Sequence, residues 1–463
     1  MITLEISRRG FGYEAECVAR LFYPGERIQI VELHREDLYV RVFGKEASQH
    51  PPAETPEPEQ ERLMCGMLYK LLCEATGKTP PWGMLTGIRP VRLVHPLLEQ
   101  GMTDSGIARF LEQNYFTSPE KAELAIQTAK AEQAILAGNS TDAASLYVGI
   151  PFCPTRCLYC SFVSHAAAGA GKLIPEYVRL LCEELRVTAQ VLQGRGLKLQ
   201  TVYIGGGTPT VLSPPQLAQV MAAIRGHFDL SNLLEYTVEA GRADTVTPEI
   251  LGVIREHGAD RLSVNPQTMD DEVLSRIGRA HTVRQAVEAF HMASGMGFAV
   301  INMDLIAGLP GESPEGFLRG LDEIIRLSPG NITVHTLTVK RSSELRGRED
   351  AFEDDGVDFS PALTQARGSL GKAGYAPYYL YRQKATRGNL ENTGYSKKGM
   401  ECRYNIYMMG DNHTVMAAGA GGVTKICAGE NRIERIFNYK YPYEYIARFD
   451  EIISRKEKAG KLL

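Results

Sequence analysis

Tyr147-Val-Gly-Ile-Pro-Phe-Cys153-Pro-Thr-Arg-Cys157-Leu-Tyr-Cys160 is the stretch around which the rest of the chain is organised. Its three cysteines are separated by three and then two residues, so all three thiols can turn onto one small metal centre. Cysteine thiolates are the usual ligands of iron–sulfur clusters, and a cubane cluster normally takes four of them. With only three in this stretch, one iron would be open to a small molecule. Read alone, the spacing also fits another metal, including zinc.

Length and composition indicate a multidomain globular protein. The chain has 463 residues, of which 44% are hydrophobic and 23% charged, so two or three domains are expected. Its 51 basic and 55 acidic side chains give a net charge of −4, which does not favour nucleic-acid binding. No apolar run reaches the roughly 18 to 20 residues of a membrane span, and the N-terminus lacks a signal-peptide pattern. Nine cysteines, six of them scattered, argue against disulfides. We therefore expect a cytoplasmic enzyme.

The first 140 residues predict an N-terminal α+β accessory domain. Apolar runs at Ile2–Ile6, 27–33 and 37–43 predict strands, and a helix is expected at 13–22. Helical patterning then dominates from residue 59 to residue 136. Trp82, the only tryptophan, lies in a Pro- and Gly-rich turn. It is interpreted either as a packed anchor between helices or as part of a substrate-contacting loop.

A regular alternation of strands and helices begins near residue 144. Strands are predicted at 145–150, 201–204, 235–238, 261–264, 300–305 and 332–337. Amphipathic helices are predicted between them at 174–192, 215–227, 248–257, 283–294 and 314–326. Such alternation indicates parallel βα units. Six units are two short of a closed eight-stranded barrel, so we predict an α/β fold, a partial (β/α)6 barrel over residues 141–345.

Chemistry-bearing residues end several of these strands. The first strand leads into the cysteines, and the second ends in Gly205-Gly-Gly-Thr-Pro-Thr210. Consecutive glycines let the backbone approach a ligand and offer N–H groups to an anion. Glu239, Gln267 and Asp304 end the third, fourth and fifth strands. In such barrels the carboxyl ends of the strands form the active-site face, so these groups are expected on one rim.

The order of these motifs resembles the radical S-adenosylmethionine (SAM) superfamily, and within it the oxygen-independent coproporphyrinogen III oxidase, or coproporphyrinogen dehydrogenase, group. The resemblance rests on the cysteine stretch through Phe162, Gly-Gly-Gly-Thr-Pro-Thr, Asp304-Leu-Ile-x-Gly-Leu-Pro and the late Gly419-Ala-Gly. It extends from residue 145 to about residue 425.

The resemblance implies a [4Fe–4S] cluster on Cys153, Cys157 and Cys160, with one or two SAM molecules. The methionine part of SAM would be positioned by Tyr147, Gly206, Gly207 and Thr208, and the backbone of Tyr159 would meet the adenine. The methionine carboxylate, ribose or a second SAM would be bound by Glu239, Gln267, Arg279 and Asp304, and Thr338 falls on another ligand position. Carboxylates accept hydrogen bonds from ribose hydroxyls, and arginine pairs with carboxylates.

The sequence departs from this family at two points. Gly149 stands where many members have histidine, and Gly419-Ala-Gly-Gly-Val-Thr-Lys425 replaces a Gly-Ala-His-Ser run. Both changes remove a possible proton or hydrogen-bond partner.

Residues 346–463 are predicted to form a C-terminal domain that covers the substrate. Arg382, Lys384 and Arg387 follow a tyrosine-rich run and are interpreted either as cations for substrate propionates or as a solvated loop. Cys402 is interpreted as a fourth cluster ligand, a radical-quenching thiol or a packed core residue.

The function implied is oxidative decarboxylation of coproporphyrinogen III to protoporphyrinogen IX, with reduction by a donor such as flavodoxin or ferredoxin. A 5′-deoxyadenosyl radical would take a hydrogen from the propionate β-carbon, and loss of carbon dioxide and an electron would leave a vinyl group. The same frame also supports a haem-binding chaperone, a methyltransferase or an enzyme of anaerobic tetrapyrrole opening, because a fold does not fix a function.

Overall fold

A computed structural model describes residues 1–87, 89–161, 165–340, 343–347, 356–383, 386–410, 413–427 and 432–463. The chain forms two compact units. The first comprises Met1–Lys130 together with Leu380–Asn392, and the second comprises Ala131–Tyr379 together with Thr393–Leu463. The three predicted domain boundaries stay a prediction.

The first unit contains a four-stranded sheet in the order β2-β1-β3-β4. Its strands are β1 (Ile2–Ile6), β2 (Ile28–Glu32), β3 (Leu38–Val42) and β4 (Lys45–Gln49). Helices begin with α1 (Gly12–Phe22), α2 (Glu57–Thr76), α3 (Val94–Glu99), α4 (Asp104–Tyr115) and α5 (Pro119–Leu136). Strand β1 is parallel to β2 and antiparallel to β3. The predicted strands and first helix are present, whereas β4 was missed because its Lys-Glu-Ala-Ser-Gln sequence is polar and mostly exposed.

Trp82 is a packed anchor of the first unit. Its indole Nε1 donates to Glu391 Oε2 at 2.7 Å, and Lys121 Nζ lies 2.5 Å from the other carboxylate oxygen. The guanidinium of Arg382 lies 5.6 Å from the ring centroid and donates to Leu85 O and Asn389 O. A buried carboxylate is tolerated here because cationic and indole donors satisfy it.

The interpretation of Arg382 as a propionate-binding cation or a solvated residue is therefore wrong. Its side chain is buried, burial lowers the pKa of its guanidinium to about 10, and backbone carbonyls use its donors. Lys384 lies outside the described residues. Arg387 lies in a short 3-10 turn at Arg387–Asn389, and its predicted role stays a prediction.

The second unit carries the alternating βα segment. Its elements are β5 (Ala143–Ile150), β6 (Phe152–Cys153), β7 (His165–Ala166), α6 (Ala167–Ala170), α7 (Ile174–Gly194), β8 (Lys198–Gly206), α8 (Pro214–His227), β9 (Glu235–Glu239), α9 (Pro248–Glu256), β10 (Arg261–Ser263), α10 (Asp271–Arg276), α11 (Val283–Gly295), β11 (Val300–Ala307), α12 (Pro314–Leu327) and β12 (Asn331–Thr336). They continue with α13 (Ser360–Lys372), β13 (Ala376–Arg382), β14 (Glu391–Ser396), α14 (Arg403–Met409), β15 (Thr414–Ala418), β16 (Val423–Cys427), β17 (Ile433–Phe437), α15 (Pro442–Ala447) and α16 (Phe449–Leu462).

The described strands of the large sheet follow the order β13-β14-β12-β11-β10-β9-β8-β5-β15-β16-β17. Strands β5, β8, β9, β10, β11 and β12 are parallel neighbours in chain order. The predicted α/β fold with six parallel strands is thus confirmed, and the described sheet keeps two free edges. The pairing of β15 with β5 was not predicted, because β15 is a short buried strand with no helix–strand pattern around it.

Helix α12 shows why the predicted helices form. Ser313 caps its N-terminus by accepting from Gly316 N at 3.0 Å, and Pro314 occupies the first turn. Phe317, Leu321 and Ile324 recur at helical spacing and are buried. Full burial of each contributes on the order of 1.5–3 kcal/mol, which stabilises this face of the helix against the sheet.

The last helix, α16, is tied to helix α7 by a buried ion pair. Lys456 Nζ lies 3.0 Å from Glu184 Oε1, and Glu184 also accepts from Gly419 N at 2.7 Å. Asn438 and Tyr445 donate to the same carboxylate at 2.7 and 2.6 Å. The carboxylate is satisfied by these four groups, so this network is structural.

Within the described part of the chain, no helix combines the length and the apolar character that crossing a membrane requires.

Candidate active site

The cysteine stretch lies at the carboxyl end of β5. Cys153 is in β6, which pairs with β7, and Cys160 N donates to Cys157 O at 3.1 Å, closing a tight turn. Leu158 N donates to Ile277 O at 3.0 Å. Leu158 and Tyr159 pack against an apolar cluster that includes Ile277, Ile306 and Leu337. The turn that carries two of the thiols is therefore fixed by backbone pairing and by an apolar anchor.

The glycines after β8 serve close backbone packing. A Cβ on Gly207 would lie 2.5 Å from Phe152 O and 3.0 Å from Cys153 Sγ. Gly207 N donates to Ile150 O and Thr208 N to Phe152 O, both at 2.7 Å. The hydroxyl of Thr208 lies 3.5 Å from Cys153 Sγ. Only glycine at position 207 lets this segment lie against the cysteine stretch.

The expected anion-binding role of these amides is consequently wrong for residues 206 to 208. Gly206 N donates to Glu239 Oε2 at 3.3 Å, and the next two N–H groups bond to the cysteine stretch. The glycines allow close approach, as predicted, but the approaching group is the chain itself.

Glu239 is the carboxylate at the end of β9, and its side chain is held from two directions. Tyr203 OH donates to Oε1, and Gly206 N donates to Oε2. Burial raises the pKa of Glu239 to about 7, which the hydrogen bond from Tyr203 only partly offsets. Tyr147, Tyr203 and Tyr404 stack beside it, with ring centroids of Tyr203 and Tyr404 4.4 Å apart. The carboxyl group can therefore change its charge near neutral pH.

Asp304 lies on β11 and has its own donors. Asn302 Nδ2 donates to its Oδ1 at 2.7 Å, and His335 Nε2 lies 3.7 Å from its Oδ2. Burial opposes ionisation, but the hydrogen bonds and charge of His335 and the donors Asn302 and Thr333 outweigh it, so the pKa of Asp304 is lowered. Glu239 and Asp304 interact electrostatically. Two partly buried carboxylates thus interact with each other, and their pKa values are shifted in opposite directions.

Gln267 has the most unusual backbone among the predicted residues. Its φ is +74°, and it is held there because its N–H donates to Asp304 O and its carbonyl accepts from Ile306 N, both at 2.9 Å. This left-handed conformation costs free energy for a residue other than glycine. Its side-chain Oε1 is buried and has no hydrogen-bond partner among the described residues.

Arg279, Tyr159 and Thr338 complete the predicted set. Arg279 Nη1 donates to Asn265 O at 2.5 Å and Gly241 O at 3.2 Å. Burial opposes its charge, but Tyr159 and Cys157 outweigh that effect and raise its pKa. Burial raises the pKa of Tyr159. Thr338 follows β12, and its hydroxyl donates to Thr336 O at 3.3 Å.

The two departures from the family pattern lie against each other. A Cβ on Gly419, whose φ is +92°, would lie 2.3 Å from Gly149 O, and one on Gly149 would lie 3.1 Å from Ala420 O. Tyr177 OH donates to Gly149 O at 2.7 Å and accepts from Ala420 N at 2.8 Å. The backbone at Gly149 and the backbone at Gly419 and Ala420 thus pack closely together beside the cysteine stretch.

Cys402 lies at the amino end of β9, whereas the cysteine stretch follows the carboxyl end of β5. It precedes α14, and its Sγ donates to Glu235 Oε1 at 3.1 Å, while Glu235 is the first residue of β9. Arg403 N and Tyr404 N donate to the same carboxylate at 2.7 and 3.2 Å. Burial raises the pKa of the Cys402 thiol well above its usual value. The interpretation as a fourth ligand is wrong, because this thiol is protonated and bonded at the amino end of β9.

The arrangement fits an iron–sulfur cluster with a bound small molecule. Three thiols come from one short loop, and glycine permits an approach to Cys153 that a side chain would block. Gln267 Oε1 is a buried acceptor with no partner in the described part of the chain. No three cysteine, histidine or acidic side chains of the described residues are gathered for a single metal ion. In a cubane cluster each thiolate instead binds a different iron.

Comparison with known proteins defines the class. Residues 147–324 match the model of the radical SAM superfamily. The chain is 35% identical over 469 residues to the oxygen-independent coproporphyrinogen-III oxidase-like protein HemZ of Bacillus subtilis, covering 95% of this chain and 94% of that protein. It is 32% identical over 302 residues to the haem chaperone HemW of Escherichia coli, covering 64% of this chain and 74% of that protein. The solved structure of Escherichia coli coproporphyrinogen III oxidase has a TM-score of 0.55 and 21% identity, covering 70% of this chain and 72% of that one.

The chain is a radical SAM protein. It belongs to the family of oxygen-independent coproporphyrinogen-III oxidase-like proteins, as the sequence predicted. Its cofactors are a [4Fe–4S] cluster and SAM, the pair that this superfamily uses.

Sequence reasoning missed three side chains of this region. Tyr203 lies on β8 and holds Glu239, His335 lies on β12 beside Asp304, and Arg242 follows β9 and contacts the cysteine stretch. Strand alternation would have found Tyr203 and His335, because each shares a sheet face with a predicted site residue two positions away or on the next strand. Nothing in the sequence around Arg242 indicates its contact.

Proposed function

We propose that the protein catalyses oxygen-independent oxidative decarboxylation of propionate side chains of coproporphyrinogen III, giving protoporphyrinogen IX. Each propionate would lose a hydrogen atom from its β-carbon, carbon dioxide and one electron to an external acceptor, which leaves a vinyl group. When bound, the cluster and SAM supply the 5′-deoxyadenosyl radical that removes this hydrogen. Reduction would come from an external donor such as flavodoxin or ferredoxin.

The protein's own residues would place the cofactors. We propose that Cys153, Cys157 and Cys160 hold the cluster, and that Gly206, Gly207 and Thr208 keep the methionine part of SAM beside it. Tyr147 would border the same position, because its hydroxyl lies 3.2 Å from where a Cβ on Gly206 would be. The backbone of Tyr159 would meet the adenine, next to the apolar cluster that already packs its ring.

The remaining residues would recognise the polar parts of SAM. Glu239 and Asp304 would accept from hydroxyls of ribose, and Gln267 would use its unpartnered Oε1 to accept from a ligand N–H or O–H. Arg279 would stabilise negative charge near Cys157, and Thr338 would border a second ligand. We further propose that residues 346–463 cover the substrate, and that the reaction takes place in the cytoplasm, where nine free cysteines would stay reduced.

The observation that carries this proposal is the meeting of the cysteine stretch, the glycine segment and Glu239 at the carboxyl ends of β5, β8 and β9. Gly207 packs on Cys153, and Gly206 donates to Glu239. The family relationship over 95% of the chain supports the tetrapyrrole substrate class.

Product analysis tests the proposal. Anaerobically reconstituted protein is incubated with coproporphyrinogen III, SAM and dithionite, and the tetrapyrroles are analysed by mass. We expect masses lowered by one and then two units of carbon dioxide plus two hydrogens, with 5′-deoxyadenosine as co-product. Unchanged coproporphyrinogen in a reaction that does cleave SAM would overturn the proposed substrate, and a mass gain would indicate methyl transfer.

The second candidate is a haem chaperone on the same frame, favoured by the 32% identity to HemW over 302 residues. The discriminating measurement is haem binding followed by transfer to an apo-haemoprotein. Stable haem binding with transfer and no vinyl product would favour the chaperone. A vinyl product with no haem transfer would favour the decarboxylase.

A further inference from the structure

Arg242 is a buried guanidinium that contacts the cysteine stretch at several points. Its Nη1 donates to Thr155 Oγ1 at 3.1 Å, to Thr155 O at 3.3 Å and to Cys157 Sγ at 3.7 Å. Its Nη2 also lies 3.1 Å from Thr155 Oγ1. The residue is 2% exposed, so these contacts exchange little with water. A guanidinium offers five donors in a fixed plane, which suits several acceptors at once.

A second set of contacts, made by Asp244, also holds the guanidinium of Arg242. Asp244 accepts from Arg242 Nε at 3.1 Å and from Nη2 at 3.2 Å, a bidentate pair. His281 Nδ1 lies 3.8 Å from the same carboxylate, and burial together with Arg279 and Arg242 lowers the pKa of His281 to about 4. The histidine is consequently neutral at neutral pH. The charge of Arg242 is thus balanced by Asp244, and its remaining donors are aimed at the cysteine stretch.

We infer that Arg242 is a positioning residue for the iron–sulfur centre, which fixes the Thr155–Cys157 turn and donates a hydrogen bond to the sulfur of Cys157. This inference rests on the proposed role of Cys157 as a cluster ligand. Hydrogen bonds to ligand sulfur stabilise the more negative, reduced cluster and so raise its reduction potential. Arg242 therefore makes the cluster easier to reduce. In the apo-protein it holds the Thr155–Cys157 turn in place and so limits the access of reagents to Cys157.

The first test uses the apo-protein, so it does not depend on catalysis. Alkylation of Cys157 by N-ethylmaleimide is followed by peptide mass in wild type, Arg242→Gln and Arg284→Gln. Arg284 is the matched control, because its side chain is 85% exposed and pairs with Glu288 on its own helix. We expect several-fold faster alkylation in Arg242→Gln and no change in Arg284→Gln. Equal rates in all three proteins would overturn the positioning role.

The second test measures the midpoint potential of the reconstituted cluster by mediated titration with optical and EPR detection. Arg242→Gln is expected to shift the potential to a more negative value. Arg242→Lys is expected to recover only part of it, since one ammonium nitrogen does not reproduce the planar guanidinium that contacts Thr155, Cys157 and Asp244 from three nitrogens. Should Arg242→Gln not fold, Thr155→Val is the substitute variant, and faster alkylation with a smaller shift is expected. An unchanged potential in a fully loaded variant would overturn the inference.

The two proposals fail in different ways. If wild type binds no cluster, the proposed function fails and this is seen in the iron content of wild type alone. If wild type is loaded but the variants match it in alkylation and potential, only the inference on Arg242 fails.

Discussion

Glu235 and Glu239 lie at opposite ends of β9 and on the same face of the sheet, yet their surroundings differ. Glu235 accepts from Cys402 Sγ, Arg403 N and Tyr404 N, and Arg261 Nε lies 3.6 Å from it. Glu239 accepts from Tyr203 OH and Gly206 N, and burial raises its pKa to about 7. The amino end of the strand thus carries a satisfied carboxylate and the carboxyl end a poorly satisfied one.

The two ends of β9 therefore differ in kind: the carboxylate at the amino end has a structural role, and the carboxylate at the carboxyl end lies in the candidate active site. Around Glu235, the amides at the start of α14 and the guanidinium of Arg261 use the carboxylate's capacity to accept. At the other end, Gln267 Oε1 is buried without a hydrogen-bond partner among the described residues, and burial raises the pKa of Glu239 to about 7. Unsatisfied buried polar groups are costly, and they persist where a ligand completes them. This contrast supports our proposal that small molecules bind at the carboxyl ends of the strands.

The largest effect on stability is expected from Glu235→Ala. Removing one partner of a buried pair leaves Arg261 without its counter-charge, which costs about 3–5 kcal/mol in the free energy of unfolding. Urea unfolding of the anaerobic protein measures this loss, with Glu239→Gln as the control at the other end of β9. Equal losses in the two variants would remove the distinction between the ends.

Gly207→Ala is expected to act at the carboxyl end through packing. The added Cβ would lie 2.5 Å from Phe152 O and 2.8 Å from Ile150 O, so a backbone shift costing about 1–3 kcal/mol is required. Because the shift moves the segment holding Cys153, the reconstituted iron content should also fall. Gly226→Ala is the matched control, since among the described residues no atom outside its own helical backbone and chain neighbours lies within 4 Å of its Cβ position. A Gly207→Ala protein with wild-type iron content and stability would contradict the packing account.

The pH dependence of stability should reveal Glu239. Its pKa in the folded protein, about 7, lies above the ordinary 4.5, so the folded state holds the proton more tightly. Its contribution is fully present below about pH 4.5 and is lost as pH rises through about 7. Glu239→Gln should therefore gain on the order of 2–3 kcal/mol relative to wild type between pH 5 and pH 8. A difference that is flat over this range would mean that Glu239 is ionised throughout.

Cys402→Ser should have the smallest effect. A serine hydroxyl can also donate to Glu235, so we expect a change below about 1 kcal/mol in the free energy of unfolding and an unchanged iron content. Iron analysis and urea unfolding check both values. Loss of iron in this variant would restore Cys402 as a cluster ligand.

Much of the fold could be predicted from the sequence, because buried strands and amphipathic helices each have a characteristic spacing of apolar residues. Helix α12 and strands β9 to β12 were predicted close to their observed bounds, whereas β8 is longer at both ends than predicted. Strand β15 and the burial of Arg382 were not, since both depend on partners distant in sequence: β5 for the strand, and Leu85 and Trp82 for the arginine.

Part of the candidate site could also be predicted from the strand pattern. Glu239 and Asp304 interact electrostatically, although Asp304 lies within β11 and not at its end. The donors that affect their pKa values, Tyr203 and His335, lie on other strands. The glycine segment was expected to offer amides to an anion, whereas those amides bond within the chain. Hydrogen-bond partners are a property of the assembled sheet, and one segment's sequence does not specify them.

Anaerobic SAM cleavage by Cys157→Ala beside Cys402→Ala tests the central claim most directly. Reconstituted proteins are reduced with dithionite, and 5′-deoxyadenosine is quantified. We predict that Cys402→Ala forms it as wild type does and that Cys157→Ala forms none and lacks the iron–sulfur absorbance. A Cys157→Ala protein that keeps a full cluster and cleaves SAM would contradict the assignment of the carboxyl end of β5 as the radical centre.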